Sequence, residues 1–266
     1  MSEYTHPFRD SSFNLEQAYN YTLLMLIDSD TFIYAITYKD MLLAYDYDCS
    51  VVELQEPREL QELLNAAYKN IIISFVDCGS TLVPRKIFHV DNIASVARML
   101  DVKSDEKVLA EVLDDKNMVI YKADDKIIAY ADRFKPRQVV FNGTGLVKAI
   151  SRNNPSDNNV YLNVIGDKLD IIYFKDRTLN YFNSFRFNSP DDAIYFIGLV
   201  LQELNLSARD TTLMVSGSIN TDEPLYGHLA GFFPKINLNR IQLMELPVQL
   251  PPHQMLPLAA LSLCVS

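Results

Sequence analysis

The sequence predicts an α/β protein made of two tandem units, each a mixed five-stranded sheet with helices, and a small hairpin inserted in the first. Residues 21–47 and 160–187 both read as a three-strand antiparallel meander, and their turns align. Tyr38-Lys39-Asp40 is followed by Tyr45 in one, and Phe174-Lys175-Asp176 by Tyr181 in the other. Such a recurrence is the signature of an internal duplication. Each meander is followed by a helical pattern that opens on proline, at Pro57 and Pro190, and then by a continuous apolar run suited to a strand buried on both faces. Between the copies lies the polar run 151–159, which places the units at 1–157 and 158–266.

In the first unit, β-rich runs at 21–27, 31–37 and 41–47 are separated by Asp28-Ser29-Asp30 and Tyr38-Lys39-Asp40. Leu60, Leu63, Leu64, Ala67 and Tyr68 then recur at helical spacing after Pro57. Residues 71–76 form the continuous apolar strand, and 92–100 a second helix. The inserted hairpin spans about 106–122, with strands at 107–113 and 117–121 turning at Asp114-Asp115-Lys116, although 106–113 also suits a helix. A helix at 126–134, a strand at 138–141 and a helix at 146–152 complete the unit.

The second unit restarts with strands at 160–165, 168–174 and 178–187. Ser189 is positioned as an N-cap, Pro190 as the first helical residue, and Asp191 and Asp192 lie where the helix dipole favours carboxylates. Residues 193–204 are apolar on nearly all sides, which predicts a buried helix. A core strand at 212–215, a helix at 224–232, a strand at 237–244 and a short apolar helix at 252–264 lying on a sheet finish the count.

With 34 acidic against 24 basic side chains, the formal charge is −10, a balance that speaks against a phosphate-backbone partner. The three cysteines, Cys49, Cys78 and Cys264, are odd in number and far apart, so reduced and mostly buried thiols are expected. Residues 1–20 lack an apolar signal region and no run is long enough to span a bilayer, which gives the expectation of a cytoplasmic protein without a membrane span.

Several tempting motifs are better explained by structure. The four histidines, His6, His89, His228 and His253, have no ligand spacing, so no metal site is expected. Asp77-Cys78-Gly79-Ser80-Thr81 spells a phosphate-loop pattern, yet the residues after it do not read as a returning strand, and a turn leaving a core strand is the preferred reading. Alternation puts Asp46 and Asp48 on the solvent face of a strand. Gly143-Thr144-Gly145 precedes a helix and suits either an anion or a plain helix entry. The 15 tyrosines, with no tryptophan, would suit a protein-binding surface, but many alternate with aliphatic residues in strands, so sheet packing is the default reading. Ser216-Gly217-Ser218 lacks the leading glycine of a nucleophile elbow.

The repeated order of meander, helix, strand, helix and strand resembles the ribonuclease H-like plan used twice by the actin, sugar kinase and DnaK-type chaperone superfamily. The resemblance rests on Asp28-Ser29-Asp30-Thr31, on Gly166-Asp167-Lys168, and on Leu213 to Ser218 continuing to Pro224-Leu225, which it implies are two phosphate loops and an adenosine loop. The tail Leu258-Ala259-Ala260-Leu261-Ser262-Leu263 is similar to the final helix of the pilus-assembly branch. Thr81 to Pro84 with Phe88, Asn183-Ser184-Phe185, and Asp191 to Tyr195 look like a Bacteroidota family of unknown function similar to the actin-like ATPases.

Departures from the superfamily pattern set the functional expectation. Backbone N–H groups must approach a phosphate without a side chain in the way. Here Asp28 is kept but Asp30 stands where glycine is usual, the second loop keeps Gly166 with Val164 in place of an aspartate, and the third keeps only Gly217. With 8 glycines in the chain, the expected protein is a degenerate, non-hydrolysing member that needs no cofactor and acts as a scaffold or adaptor for a protein partner. The alternative is an ATP- and Mg-dependent switch or kinase with Asp28 as its catalytic residue and Asp28, Thr31, Gly166, Asp167, Ser216 and Gly217 around the nucleotide.

Overall fold

In the computed structural model, which describes residues 7–76, 79–136 and 138–265, the apolar alternation of the first meander becomes a sheet with two differently buried faces. β1 (Phe8–Arg9), β2 (Thr22–Ile27), β3 (Thr31–Tyr38) and β4 (Met41–Ser50) pair antiparallel from β2 outward. Leu23, Met25 and Ile27 point to one core, and Leu24 and Leu26 to another.

Between the meander and the next strand lie two short helices, α1 (Val52–Gln55) and α2 (Gln61–Leu64). The expected single helix from Pro57 is therefore corrected. Glu53 accepts from the N–H groups of Arg58 and Leu60 and holds residues 56–60 as a capped loop. β5 (Asn70–Phe75) then runs parallel to β2.

An inserted layer follows: β6 (Ser80–Pro84), α3 (Ile93–Ala97), β7 (Glu106–Val112), β8 (Asn117–Asp124) and α4 (Asp125–Arg133). The β7–β8 hairpin forms as a strand pair and not as the alternative helix. Contrary to expectation, residues 80–84 do form an antiparallel strand, but they pair with β8 instead of returning along β5. Asp77 and Cys78 of that motif, like His6, lie outside the described residues. β9 (Gln138–Phe141) adds parallel to β5, giving the order β1-β4-β3-β2-β5-β9, and leads into α5 (Asn142–Arg152).

The second sheet repeats that connection order. β10 (Asn159–Ile165), β11 (Lys168–Lys175) and β12 (Thr178–Arg186) form the meander. α6 (Pro190–Glu203) starts with the predicted Ser189–Asp192 capping box. β13 (Thr212–Gly217), α7 (Pro224–Phe232) and β14 (Ile236–Leu238) complete the order β12-β11-β10-β13-β14. The last strand is shorter than the expected 237–244, because Asn239 accepts from the N–H of Ile241 and turns the chain away. The α6 helix is not buried all round: Tyr195 and Leu199, one turn apart, are exposed.

Two helices tie the sheets together. Leu146, Val147, Ala149 and Ile150 of α5 share a core with Tyr161, Ile172, Phe174 and Phe182 of the second sheet. Reciprocally, α8 (Pro252–Ala259) and the 3₁₀ turn Ala260–Cys264 place Met255, Leu258, Leu261 and Cys264 against Leu24, Leu26, Ile72 and Val140 of the first. The two helical segments cross at Gly145, where a Cβ would sit 2.7 Å from the carbonyl carbon of Ala260.

Glycine costs about 1 kcal/mol relative to alanine in a helix, so an exposed Gly→Ala change here would stabilise. At Gly145 the steric term reverses the sign, since overpacking against backbone costs about 1–3 kcal/mol or more. Gly145→Ala is expected to lower the urea midpoint of unfolding, and Gly145→Val to lower it further.

Candidate functional site

The tip turns of the two meanders are joined by an ion pair. Asp28 ends β2, its N–H donating to Thr31 O (2.8 Å) and its Oδ1 accepting from Ser29 N–H (2.7 Å). Opposite, Gly166 takes φ +58° with open space around its Cα, as a tight turn requires, and Lys168 follows as the first residue of β11. Lys168 Nζ lies 2.5 Å from Asp28 Oδ1, with the two side chains 9% and 26% exposed. An ammonium thus occupies the carboxylate oxygen that the nucleotide reading reserves for metal-bound water.

Behind this pair is a buried polar layer. Asp170, which alternation places on the same face of β11 as Lys168, accepts from Ser184 Oγ (2.6 Å), Asn163 Nδ2 (2.9 Å) and Asn142 Nδ2 (3.4 Å). Ser184 and Asn163 are its direct cross-strand neighbours in register, and Asn142 arrives at the N-terminus of α5. Burial pushes the Asp170 carboxyl above the usual range, against the pull of these donors and of Lys168. The Oδ1 atoms of Asn142 and Asn163 are buried with no hydrogen-bond partner.

The start of α5 already holds a carboxylate. Glu111 of β7 accepts from Phe141 N–H (2.8 Å) and from Thr144 Oγ1 (2.8 Å), and burial raises its pKa despite those bonds. Gly143 and Gly145 lie inside the first turn of the helix, not before it. Rings of Phe141 and Phe182 crowd the first, and the Ala260 backbone the second. These glycines serve close packing, and the protein's own Glu111 takes the anion position at the helix N-terminus.

Of the residues expected around a nucleotide, Gly217 lines a cavity and Asp28 is taken up by Lys168, while Asp167 and Ser216 are engaged elsewhere. Asp167 pairs with Arg186 (3.5 Å) on the surface. Ser216 is buried and donates to Leu162 O (3.0 Å). Gly217, at φ +90°, is required because a Cβ would collide with the Val164 carbonyl in the neighbouring strand. Asp30 is exposed, and Val164 points into the second core. The cavity beside Gly217, about 230 Å³, is lined by Leu26, Ile33 and Leu258 on the apolar side and by Asn220, Glu223 and Gln254 on the polar side.

Other expectations resolve locally. Asp46 is half-buried and Asp48 exposed, with Asp48 at φ +58° and a register shift in the β3–β4 pairing, so simple alternation does not hold there. His253 is buried, 2.9 Å from Ile219 O. Burial pushes the thiols of Cys49 and Cys264 up to about 12 and about 11, which keeps them protonated. Among the described residues no group of three or more His, Cys, Asp or Glu is placed to hold a metal ion.

Asp170, Asn142, Asn163 and Glu111 were not singled out from sequence, and Lys168 and Ser184 entered only as members of resemblance motifs, with no role of their own. The available signal was polar residues at alternate positions within otherwise apolar strands, Asn163 in β10 and Asp170 in β11.

Removing one partner of a largely buried pair leaves the other uncompensated, at a cost of about 3 kcal/mol. Lys168→Met is expected to destabilise markedly, and Asp28→Asn added to it to restore much of the loss, as read from chemical denaturation. For Asp170 the folded pKa lies above the unfolded one, so its contribution is most favourable at acid pH and is lost as pH rises through the folded value. The melting temperature of Asp170→Asn, relative to the parent, should therefore climb from pH 4 toward neutrality.

Comparison with solved structures places the architecture among actin-like ATPase folds. A Bacteroides thetaiotaomicron protein with that fold and unknown function superposes with TM-score 0.78 at 19% identity, covering 95% of this chain and 99% of that one. The cytoplasmic domain of EpsL, an inner membrane component of the type II secretion system of Vibrio cholerae, gives TM-score 0.52 at 10% identity, with 92% and 96% covered. A chain of the PilM–PilN type IV pilus biogenesis complex gives 0.52 at 11%, with 91% and 96% covered. No curated protein matches. Residues 10–236 match the model of a protein family of unknown function, DUF3822, and the chain belongs to that family.

Proposed function

We propose that this chain is a non-hydrolysing member of the actin-like fold, a scaffold or adaptor whose ligand is another protein, built from duplicated units at 1–157 and 158–266. The observation that carries the reading is the Lys168 ammonium on Asp28 Oδ1. A Mg ion at that oxygen would compete with a fixed cation at contact distance.

Two further features support it. The cavity beside Gly217 mixes apolar side chains with Asn220, Glu223 and Gln254 and has no basic residue in its lining, and the close backbone approach that Gly217 permits is used by Val164 of the same sheet. Glu111 sits at the N-terminus of α5, where it would repel a phosphate. The residues present thus fit Mg-ATP poorly, and no catalytic step is assigned to it. A protein ligand has a precedent in the fold, since the neighbours include a secretion-system component and a chain of a biogenesis complex. No helix of the described residues is long and apolar enough to cross a membrane, and a cytoplasmic location is part of the proposal.

One observation favours the alternative of a nucleotide switch: the Oδ1 atoms of Asn142 and Asn163 beside Asp170 are buried acceptors left unused. Titration calorimetry with ATP and magnesium separates the two readings. No heat of binding and no phosphate release are expected. Micromolar binding with turnover, abolished by Asp28→Ala, would establish the switch in place of the scaffold.

A further inference from the structure

At the end of the second sheet opposite the Gly166 turn, a second cavity of about 470 Å³ opens between three elements that are distant in sequence. The β7–β8 turn contributes Lys116, the C-terminal half of α5 contributes Lys148 and Arg152, and the β11–β12 turn contributes Arg177. Its base is apolar, formed by buried side chains such as Phe174 and Leu179. Lys116 Nζ donates to Thr178 Oγ1 (3.2 Å), which joins the inserted hairpin to the second sheet along one wall.

The charge balance at this cavity is unlike that of the chain. The protein carries −10 overall, yet four cations converge here against Asp114 and Asp115. Asp114 is already committed to its own turn, accepting from the N–H groups of Lys116 and Asn117 and from the Asn117 side chain. Among the described residues none of the four cations makes an ion pair within 4 Å. The helix dipole accounts for a basic residue at the end of α5, but not for Lys116 and Arg177, which come from turns of other elements.

We propose that this cavity binds an organic anion, its apolar body resting on Phe174 and Leu179 and its carboxylate or phosphate held by Lys116, Lys148, Arg152 and Arg177. Convergent cations over an apolar base give both parts of such a ligand a partner: guanidinium groups fork onto anionic oxygens, and the hydrophobic wall desolvates the remainder. The site is separate from the Asp28–Lys168 pair, because β11 runs its whole length between Lys168 and the Arg177 turn. It therefore stands or falls independently of the scaffold reading.

The test uses the full chain and 8-anilinonaphthalene-1-sulfonate, an apolar fluorophore with one anionic head. A single saturable enhancement is expected, weakened by salt. Phenyl phosphate and phenylacetate should displace the probe and benzyl alcohol should not, and the stronger of the two anions identifies the preferred head group. Arg152 and Arg177 are both exposed, so Arg152→Glu/Arg177→Glu should keep the parent melting temperature while weakening the probe about tenfold or more, as charge reversal at two contacts implies. Absence of saturable binding, equal displacement by benzyl alcohol, or unchanged affinity in the double variant would each overturn the proposal.

Discussion

The structure depends on a reciprocal exchange of helices. α5 follows the first sheet in sequence yet shares a core with strands of both sheets, and the 252–264 segment follows the second sheet yet packs on the first as well as on its own. Each sheet would otherwise present a face of Leu, Ile and Phe side chains to water, at roughly 25 cal/mol for every Å² exposed. The exchange is possible only where the two segments pass without side chains between them, and that contact is Gly145 on Ala260.

At the meander tips the charged groups are paired internally, although two amide oxygens behind them, on Asn142 and Asn163, have no partner. Asp28 and Lys168 neutralise one another across the tips, and Asp170 is surrounded by amide and hydroxyl donors. A buried pair of this kind gains less stability than its Coulomb energy suggests, because both ions lose their water. Its effect is on geometry. Lys168 and Asp28 are held by strands of different sheets, so the short contact fixes how those strands meet. Glu111 acts similarly at the start of α5, linking the inserted hairpin to the helix on which the exchange depends.

The strands were legible in the sequence because their alternation is local. Turn chemistry at Lys39 and Asp176, both at positive φ, and the Ser189 capping box were readable for the same reason. The helix expected from Pro57 failed because Glu53, upstream of it, satisfies the amide groups of the following loop, a capping arrangement outside the usual short motifs. Apolar composition made α6 look buried, whereas Tyr195 and Leu199 form a stripe that the neighbouring helix α7 does not cover. At the meander tips, Asp28 and Gly166 could be picked out as turn residues. Lys168 could not, since an ammonium at the head of a strand acquires meaning only from a carboxylate brought to it by the other sheet.

The exchange also carries a consequence for synthesis of the chain. Leu24, Leu26 and Ile72 are made well before their cover, Met255 to Cys264, which follows both sheets in the chain. Until then the emerging first sheet carries an open apolar face of high β-propensity, a surface prone to pairing with other chains. Any truncation ahead of residue 252 would leave that face exposed permanently. The short apolar helix that the sequence places on a sheet at 252–264 is thus the part whose arrival ends the period of aggregation risk.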